Sequence, residues 1–442
     1  MTAPNGAILF NSSTGSDTTA SGLGSANVYG SGASTTGSSA VVTSIDTTGV
    51  SSGDLLWVQS SSGRQFSIIA TVDSSTQVTC DDTFANTESG RTWAIGGKRA
   101  TLAGSQRIYD DGSTADGDGD WIIELEDGYT ETISSTINLR VATGSMDGGF
   151  ILRGQAGSVT KPVLTFTNQG NSFVFYASYA TVQNIELKNS ATTISSTVAF
   201  TSNSYITLPK LIDVDIHDPT DNYYHGVYIY ASGATGIVCE GCSVGNVDGV
   251  GLYPRVAAAN TSIVGCRIFN CGSSGFHHNY LTTFQFENNL VYGNGSHGLY
   301  IQNGAGYISG NIIANNTGDG INISSNLARI HGNIIAGNAN GIVRTGTAIQ
   351  GANSISRNAF YGNTTANVTG FSRSENEVLL TADPFVDAAA GDFTLNADAG
   401  GGATLRANNF ALNTDTSVYP FRQYVSDDFG GGGATVHPLR SN

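Results

Sequence analysis

The chain has 442 residues, enough for two or three domains, with 57 Gly, 8 Pro and only 12% charged residues. Lys and Arg number 19 against 35 Asp and Glu, a net charge of −16, which argues against a nucleic-acid or anionic-membrane partner engaged through a basic patch. No apolar run approaches the roughly 18 residues of a membrane span, and the opening Met1-Thr-Ala-Pro-Asn-Gly has neither the basic nor the apolar region of a secretory signal, so none is expected.

In chain order, residues 1–40 are rich in Gly, Ser and Thr ("GSGASTTGSS") and read as an arm that orders against a partner. Residues 41–104 read as a small all-β module. "DLLWVQS", "RQFSIIATV" and "TQVTCDD" are strands parted by Ser-Gly and Asp-Ser turns, with Cys80 a strand residue. Next comes "DDGSTADGDGDW", where Asp116, Asp118 and Asp120 alternate as calcium ligands do. A calcium loop of the EF-hand type wants Gly sixth and Glu twelfth, whereas Trp121 and Asp127 stand there. The segment therefore reads as an acidic turn, with a structural Ca²⁺ as the alternative.

Residues 105–375 carry the repeat. Asn289, Asn311 and Asn333 stand 22 residues apart, and each opens one short phrase: NLVYGN, NIIANN, NIIAGN. The phrase extends forward to Asn358 and Asn363, and backward to Cys266, Cys271 and Cys242. A period in the low twenties built of strand-like residues marks a solenoid in which each repeat is one coil. Three apolar columns follow from the alignment. Three places before the opening residue stand Cys239, Ile263, Phe286, Ile308, Ile330 and Ile355. Two places after it stand Val244, Ile268, Val291, Ile313, Ile335 and Phe360, and ten after it Leu252, Phe276, Leu299 and Ile321. Alternation as in Ile321-Asn322-Ile323 has strand period, so three short strands per coil stack into a parallel β-helix. Asn at a sharp corner tolerates the left-handed conformation, and stacked Asn amides bond along the axis as a ladder.

The phrase "GNIIANNTGDGINIS" resembles the repeat of right-handed β-helix proteins of the pectin-lyase-like type. "DWIIELEDGYTETI" is similar to the first coils of such folds, and "DPFVDAAAGDFTLNADAG" to the segment that closes them. The resemblance covers about residues 105–405. It implies the fold, which hosts lyases, hydrolases and non-catalytic virion proteins alike. Residues 41–104 also resemble segments of large phage virion proteins, and by resemblance to virion β-helices a homotrimer is expected.

Chemistry is sought on the outward faces. One column reads Tyr228, Tyr253, His277, Tyr300, Asn322, and two places on it reads Tyr230, Arg255, Asn279, Gln302, Ser324. Aromatic faces take the apolar side of a sugar ring while amides and Arg take its hydroxyls, so the stripe reads as a glycan-binding face or a subunit interface. Exposed strands also favour Tyr on propensity alone. Just before the corner Gly, Ser274, His297 and Asp319 fall on consecutive rungs in Ser-His-Asp order, although turn positions favour Ser and Asp without any catalytic reason. His278 falls on an inward column and reads as a hydrogen-bonded core residue. For glycoside cleavage the best carboxylates are Asp213 and Asp215, with Asp218, Asp221, His217 and His225 nearby, in the insertion "HDPTDNYYHG". This set resembles neither the Asp motif of polygalacturonases nor the calcium, Lys and Arg set of pectate lyases. Cys239, Cys242, Cys266 and Cys271 sit on repeat columns and read as small core or corner residues, with an inter-coil disulfide or a zinc site as alternatives. Residues 376–442 read as a cap or docking tail.

The expected protein is thus an all-β, right-handed parallel β-helix with an N-terminal β module. Its expected role is that of a non-enzymatic surface protein of a phage virion, a capsid decoration or fibre, in contact with other virion proteins and with glycans. The alternative is a tailspike-like receptor-binding protein or polysaccharide depolymerase.

Overall fold

The computed structural model describes residues 8–22, 26–61, 63–103, 105, 121–139, 150–176, 179–190, 197–202, 208–216, 223–230, 236–255, 261–280, 282–324, 327–346, 354–371, 376–408 and 410. The chain forms two compact units: Met1–Thr132 with Ile137–Leu164 and Tyr176–Ile185, and Ile133–Thr136 with Thr165–Phe175 and Glu186–Asn442.

In the first unit, Asn27–Thr35, Ser39–Thr43, Gln77–Phe84, Gly63–Ser74, Leu55–Ser60 and Glu88–Gly96 close in that order into an antiparallel barrel. Alternating residues such as Leu56 and Val58 point inward and meet Val42, Ile69, Val78, Phe84 and Trp93. Closure leaves no sheet edge unpaired. The boundary expected at residue 40 therefore needs correction: Asn27–Thr35, read as part of an arm, is a barrel strand paired with Glu88–Gly96. Ile8–Asn11 pairs in parallel with Trp121–Leu125. The Gly and Ser content suggested disorder, but strand pairing satisfies the backbone regardless of side chain.

The second unit is a stack of coils with three strands each. A first sheet runs through Lys210–Ile212, Val238–Glu240, Thr261–Val264, Thr283–Glu287, Ala305–Ser309, Leu327–His331 and Ser354–Ser356. A second runs through Asp215–Ile216, Ser243–Gly245, Arg267–Phe269, Leu290–Tyr292, Ile312–Ala314, Ile334–Ala336 and Ala359–Tyr361. A third runs through Val198–Ser202, His225–Ile229, Leu252–Pro254, Phe276–His278, Leu299–Ile301, Ile321–Ile323 and Asn340–Arg344. All pairing is parallel, and the register matches the sequence columns. Ile263, Phe286, Ile308, Ile330 and Ile355 are successive partners. So are Val291, Ile313, Ile335 and Phe360, and Phe276, Leu299 and Ile321. These side chains are buried.

Two asparagine ladders fix the corners. Nδ2 of Asn289 donates to Oδ1 of Asn311 at 3.1 Å, Asn311 to Asn333 at 2.9 Å, and Asn333 to Asn358 at 2.9 Å. Asn294, Asn316, Asn338 and Asn363 repeat the pattern at the next corner. Each Oδ1 also accepts the backbone N–H of the ladder residue one coil before, as Asn333 does from Asn311 at 3.0 Å. The second Nδ2 hydrogen goes to a carbonyl: Asn333 reaches Ile308 at 3.0 Å. Both donors and both acceptor positions of such an amide are used, which is what full burial of Asn requires.

Beside the ladders runs a left-handed turn at each corner. Asn288 (φ 55°) and Asn315 (φ 54°) occupy it, and Gly310 (φ 66°) and Gly337 (φ 66°) follow one coil later. A Cβ on Gly310 would collide with Oδ1 of Asn288, and one on Gly337 with Oδ1 of Asn315, so at these rungs Gly follows Asn, whereas lower down Asn270 (φ 50°) follows Asn246 (φ 50°) with its Nδ2 3.4 Å from Oδ1.

Below Asn289 and Asn294 the ladders end at Cys266 and Cys271, whose N–H groups donate to the asparagine oxygens at 2.8 and 3.0 Å. The thiol of Cys266 donates to Cys239 O at 3.5 Å, and that of Cys242 to Leu211 O at 3.3 Å, in the place of the amide. All five cysteines are free and buried, which corrects the disulfide alternative, and burial pushes the Cys80 thiol up to about 12. Among the described residues no His, Cys, Asp and Glu group is placed to hold a metal.

After the last coil, the hairpin of Phe385–Asp387 and Asp392–Leu395 and the helix Gly402–Ala407 lie on the outward face of the second sheet. Leu290, Tyr292, Ile312, Ala314, Ile334 and Ala336 are apolar there because Phe385, Phe393, Leu405 and Phe410 cover them. Phe393 packs on Tyr292 at 4.8 Å between ring centroids.

Asn333→Ala strands the N–H and Nδ2 of Asn311 and is expected to cost about 2–4 kcal/mol, read as a lower denaturant midpoint at unchanged slope. Phe393→Ala is expected to cost about 3 kcal/mol and to raise hydrogen exchange selectively in residues 383–408. An unchanged exchange pattern would show that the segment does not depend on this contact.

Candidate functional site

The outward face of the third sheet carries three adjacent columns. The central one is set by register: Tyr228 pairs with Tyr253, His277 with Tyr300, and Tyr300 with Asn322. Strand alternation buries Val227, Leu252, Phe276 and Leu299 beneath them and turns the rings outward. The rings form a continuous stack. Centroids lie 5.2 Å apart for Tyr228–Tyr253, 4.3 Å for Tyr253–His277 and 4.8 Å for His277–Tyr300. Tyr230, 59% exposed, extends it sideways at 5.6 Å from Tyr228.

The next column holds the stack in place. Arg255 Nη1 donates to Tyr228 Oη at 3.0 Å, and its guanidinium lies 5.2 Å from the centre of the Tyr230 ring. Asn279 Nδ2 donates to Tyr253 Oη at 3.1 Å, and Gln302 Nε2 to Tyr300 Oη at 2.9 Å. His277 Nε2 lies 3.1 Å from Gln302 Oε1. The amide nitrogen of Gln302 is turned to Tyr300, so the imidazole is the donor of that bond.

On the other side, two histidines cap backbone. His225 Nδ1 accepts the N–H of Val250 at 2.9 Å, and His297 Nδ1 accepts the N–H of Asp319 at 3.0 Å. In both cases the ring holds the residue one rung on. This settles the Ser274–His297–Asp319 order. A triad histidine must donate from the nitrogen that faces the carboxylate. Here Nδ1 of His297, 3.4 Å from the Asp319 carboxylate, is already an acceptor. Asp319 is held instead by Nδ2 of Asn322 at 2.6 Å and of Asn340 at 2.7 Å. Burial holds His225, His277 and His297 below the usual histidine range, His225 at about 4.

His278 is buried, as its inward column implied, with Nδ1 3.0 Å from Asn303 O and Nε2 3.3 Å from Thr282 Oγ1. Asp213 and Asp215 do not join the stripe. Asp213 (φ 53°) takes the left-handed corner between the first two sheets, the position held by Asn288 and Gly310 higher up. Asp215 lies on the second sheet between Glu186 and Ser243. His217, Asp218 and Asp221, and the calcium candidates Asp116, Asp118 and Asp120, lie outside the described residues. The sequence reading found the aromatic column but missed the histidine caps. Their signal was His before the corner Gly at 225 and 297, with the capped residue one repeat later.

Residues 123–307 and 196–364 match the family described as the right handed beta helix region, over half the chain. The chain belongs to the right-handed β-helix family. Comparison of this β-helix with curated proteins gives no match. Among solved structures it is similar to pectate lyase Pel9A at 13% identity and TM-score 0.46, covering 69% of this chain and 85% of that one. It is similar to the A-module of the Azotobacter vinelandii mannuronan C-5 epimerase AlgE6 at 13% identity and TM-score 0.31, covering 62% and 87%. It is also similar to the tailspike of Acinetobacter phage vB_ApiP_P1 at 13% identity and TM-score 0.35, covering 59% of this chain and 53% of that one. At such identities and TM-scores these likenesses add nothing about the β-helix's site.

Because folded His225 stays neutral down to about pH 4 while an unfolded histidine protonates near 6.5, the unfolded β-helix binds the extra proton in between. Stability is therefore lost as pH falls from about 6.5 to about 4, and this group adds no further loss below that. The denaturation midpoint of the wild type is expected to fall more steeply across that window than that of His225→Gln, and the His225 ring signal in NMR to titrate near 4. Equal slopes would contradict the capping role.

Proposed function

We propose that the third-sheet stripe is a carbohydrate-binding face and that this β-helix is a glycan-binding component of a phage particle surface, acting without cleaving its ligand. The observation that carries the first part is the unbroken outward stack of Tyr228, Tyr253, His277 and Tyr300, flanked by Arg255, Asn279 and Gln302. A row of rings stacked along the axis, with phenol, imidazole and amide groups along its rim, suits an extended sugar chain whose rims carry hydroxyls. Binding is preferred to cleavage because Asp213 and Asp215 sit at the corner and on another sheet, away from the stripe. The particle placement is supported by the acidic, lysine-poor chain and the resemblance of residues 41–104 to virion segments, and the homotrimer by the resemblance to virion β-helices. Solved tailspikes are among the proteins of similar fold.

Affinity electrophoresis of the whole chain in gels containing soluble polysaccharides tests the binding face. Tyr253→Ala is expected to reduce retardation about tenfold, whereas Asp213→Asn with Asp215→Asn leaves it unchanged. Conversion of an oligomer to monomer by Tyr253→Ala, without loss of retardation, would make the stripe a subunit interface and refute glycan binding. Shortening of the polysaccharide that is lost in the double Asp variant would replace binding by depolymerisation. Gold-labelled antibody on purified particles decides the placement: label on the head or tail supports it, and bare particles overturn it.

A further inference from the structure

Each stripe phenol is bonded in the same sense. Arg255, Asn279 and Gln302 donate to the hydroxyls of Tyr228, Tyr253 and Tyr300, at 3.0, 3.1 and 2.9 Å. A guanidinium never accepts, and an amide NH2 only donates, so each bond uses an oxygen lone pair and leaves the phenol's own hydrogen unspent. Among the described residues no bond from those three hydrogens is made, although Oδ1 of Asn279, on the amide that donates to Tyr253, is a buried acceptor left unfilled. The three phenols stand on rungs one coil apart for Tyr228 and Tyr253 and two coils on for Tyr300. The intervening rung is His277. Its Nε2 hydrogen is committed to Gln302 Oε1 at 3.1 Å, which leaves Nδ1 as a bare acceptor with no partner among the described residues.

Along the axis the face therefore reads donor, donor, acceptor, donor. A carboxylate accepts and cannot donate, so a uronate carboxylate set at the His277 rung would meet Nδ1 with lone pair against lone pair. It would also find Arg255 as the one cation of the Tyr228–Asn322 and Tyr230–Ser324 columns, on a protein of net charge −16. A sugar hydroxyl donates and accepts and fits every rung. We infer that the stripe selects a neutral, hydroxyl-rich glycan lying along the helix axis. The phenol hydrogens of Tyr228, Tyr253 and Tyr300 and the His277 Nδ1 lone pair would then determine specificity. This rests on the carbohydrate-binding reading above.

The test compares retardation of the whole chain in gels containing neutral polysaccharides (dextran, galactomannan, glucan) with gels containing polygalacturonate or alginate. The variants are Tyr253→Phe, which keeps the ring and removes only the hydroxyl, and Tyr253→Ala. Circular dichroism confirms that each variant is folded. Retardation by a neutral polymer, indifferent to salt, and weakened about 2- to 10-fold by Tyr253→Phe is the expected result. Stronger, salt-sensitive retardation by the uronates overturns the selectivity. Loss in Tyr253→Ala with none in Tyr253→Phe overturns the hydrogen-bond pattern while the binding face stands. No retardation by any polymer removes the carbohydrate reading, and this inference with it.

Discussion

Everything in the solenoid depends on one coil lying in register on the next. Parallel pairing spends the backbone groups of each strand on its neighbours, yet at the corners the chain turns too sharply for strand pairing to reach every N–H and C=O. The asparagine ladders fill that gap. Asn289, Asn311 and Asn333 each accept from the corner N–H one coil before and donate to a carbonyl beyond it. A slip of one residue would leave a buried amide with no partner, a penalty far larger than the gain from any single apolar contact. Register is thereby enforced at two corners, and the apolar columns stack because the corners hold them.

The same register makes the outward face. Once Phe276 is under Leu299, His277 has to lie under Tyr300, and a column of aromatic residues becomes a physical row. The flanking columns then acquire their roles by proximity. Arg255, Asn279 and Gln302 brace phenols from one side, and His225 and His297 hold backbone N–H groups from the other. Burial keeps these histidines neutral, which is the state a lone-pair acceptor needs. The stripe is consequently braced from both sides, and on the carbohydrate-binding proposal a braced aromatic surface loses little entropy on binding.

The second sheet shows the opposite use of an outward face. Leu290, Ile312 and Ile334 would be a liability in water, and the chain covers them with its own hairpin and helix from Phe385 to Phe410. The third sheet has polar and aromatic residues in the corresponding places and is left open among the described residues. Within one coil, then, composition separates the face that the chain covers from the face that is open among the described residues.

Most of this architecture was legible in the sequence, because a repeat exposes its own constraints. The spacing of Asn289, Asn311 and Asn333 gave the coil length, and the columns gave the three buried edges and the aromatic row. Residues whose type has two uses stayed ambiguous in the sequence. Asp213 looked like an acid and is a left-handed corner. Ser274, His297 and Asp319 had the order of a triad, but the direction of a hydrogen bond at His297 Nδ1 is set by the coil above. The Gly- and Ser-rich strand Asn27–Thr35 looked unstructured, since nothing local reveals pairing across a barrel. Sequence alone determined the period, the inward columns and the residues sharing the stripe, because these follow from strand alternation repeated at fixed spacing. Tertiary structure decided which lone pairs are filled, which side chains brace the phenols and which sheet the tail covers, because these depend on contacts between residues a full coil or more apart.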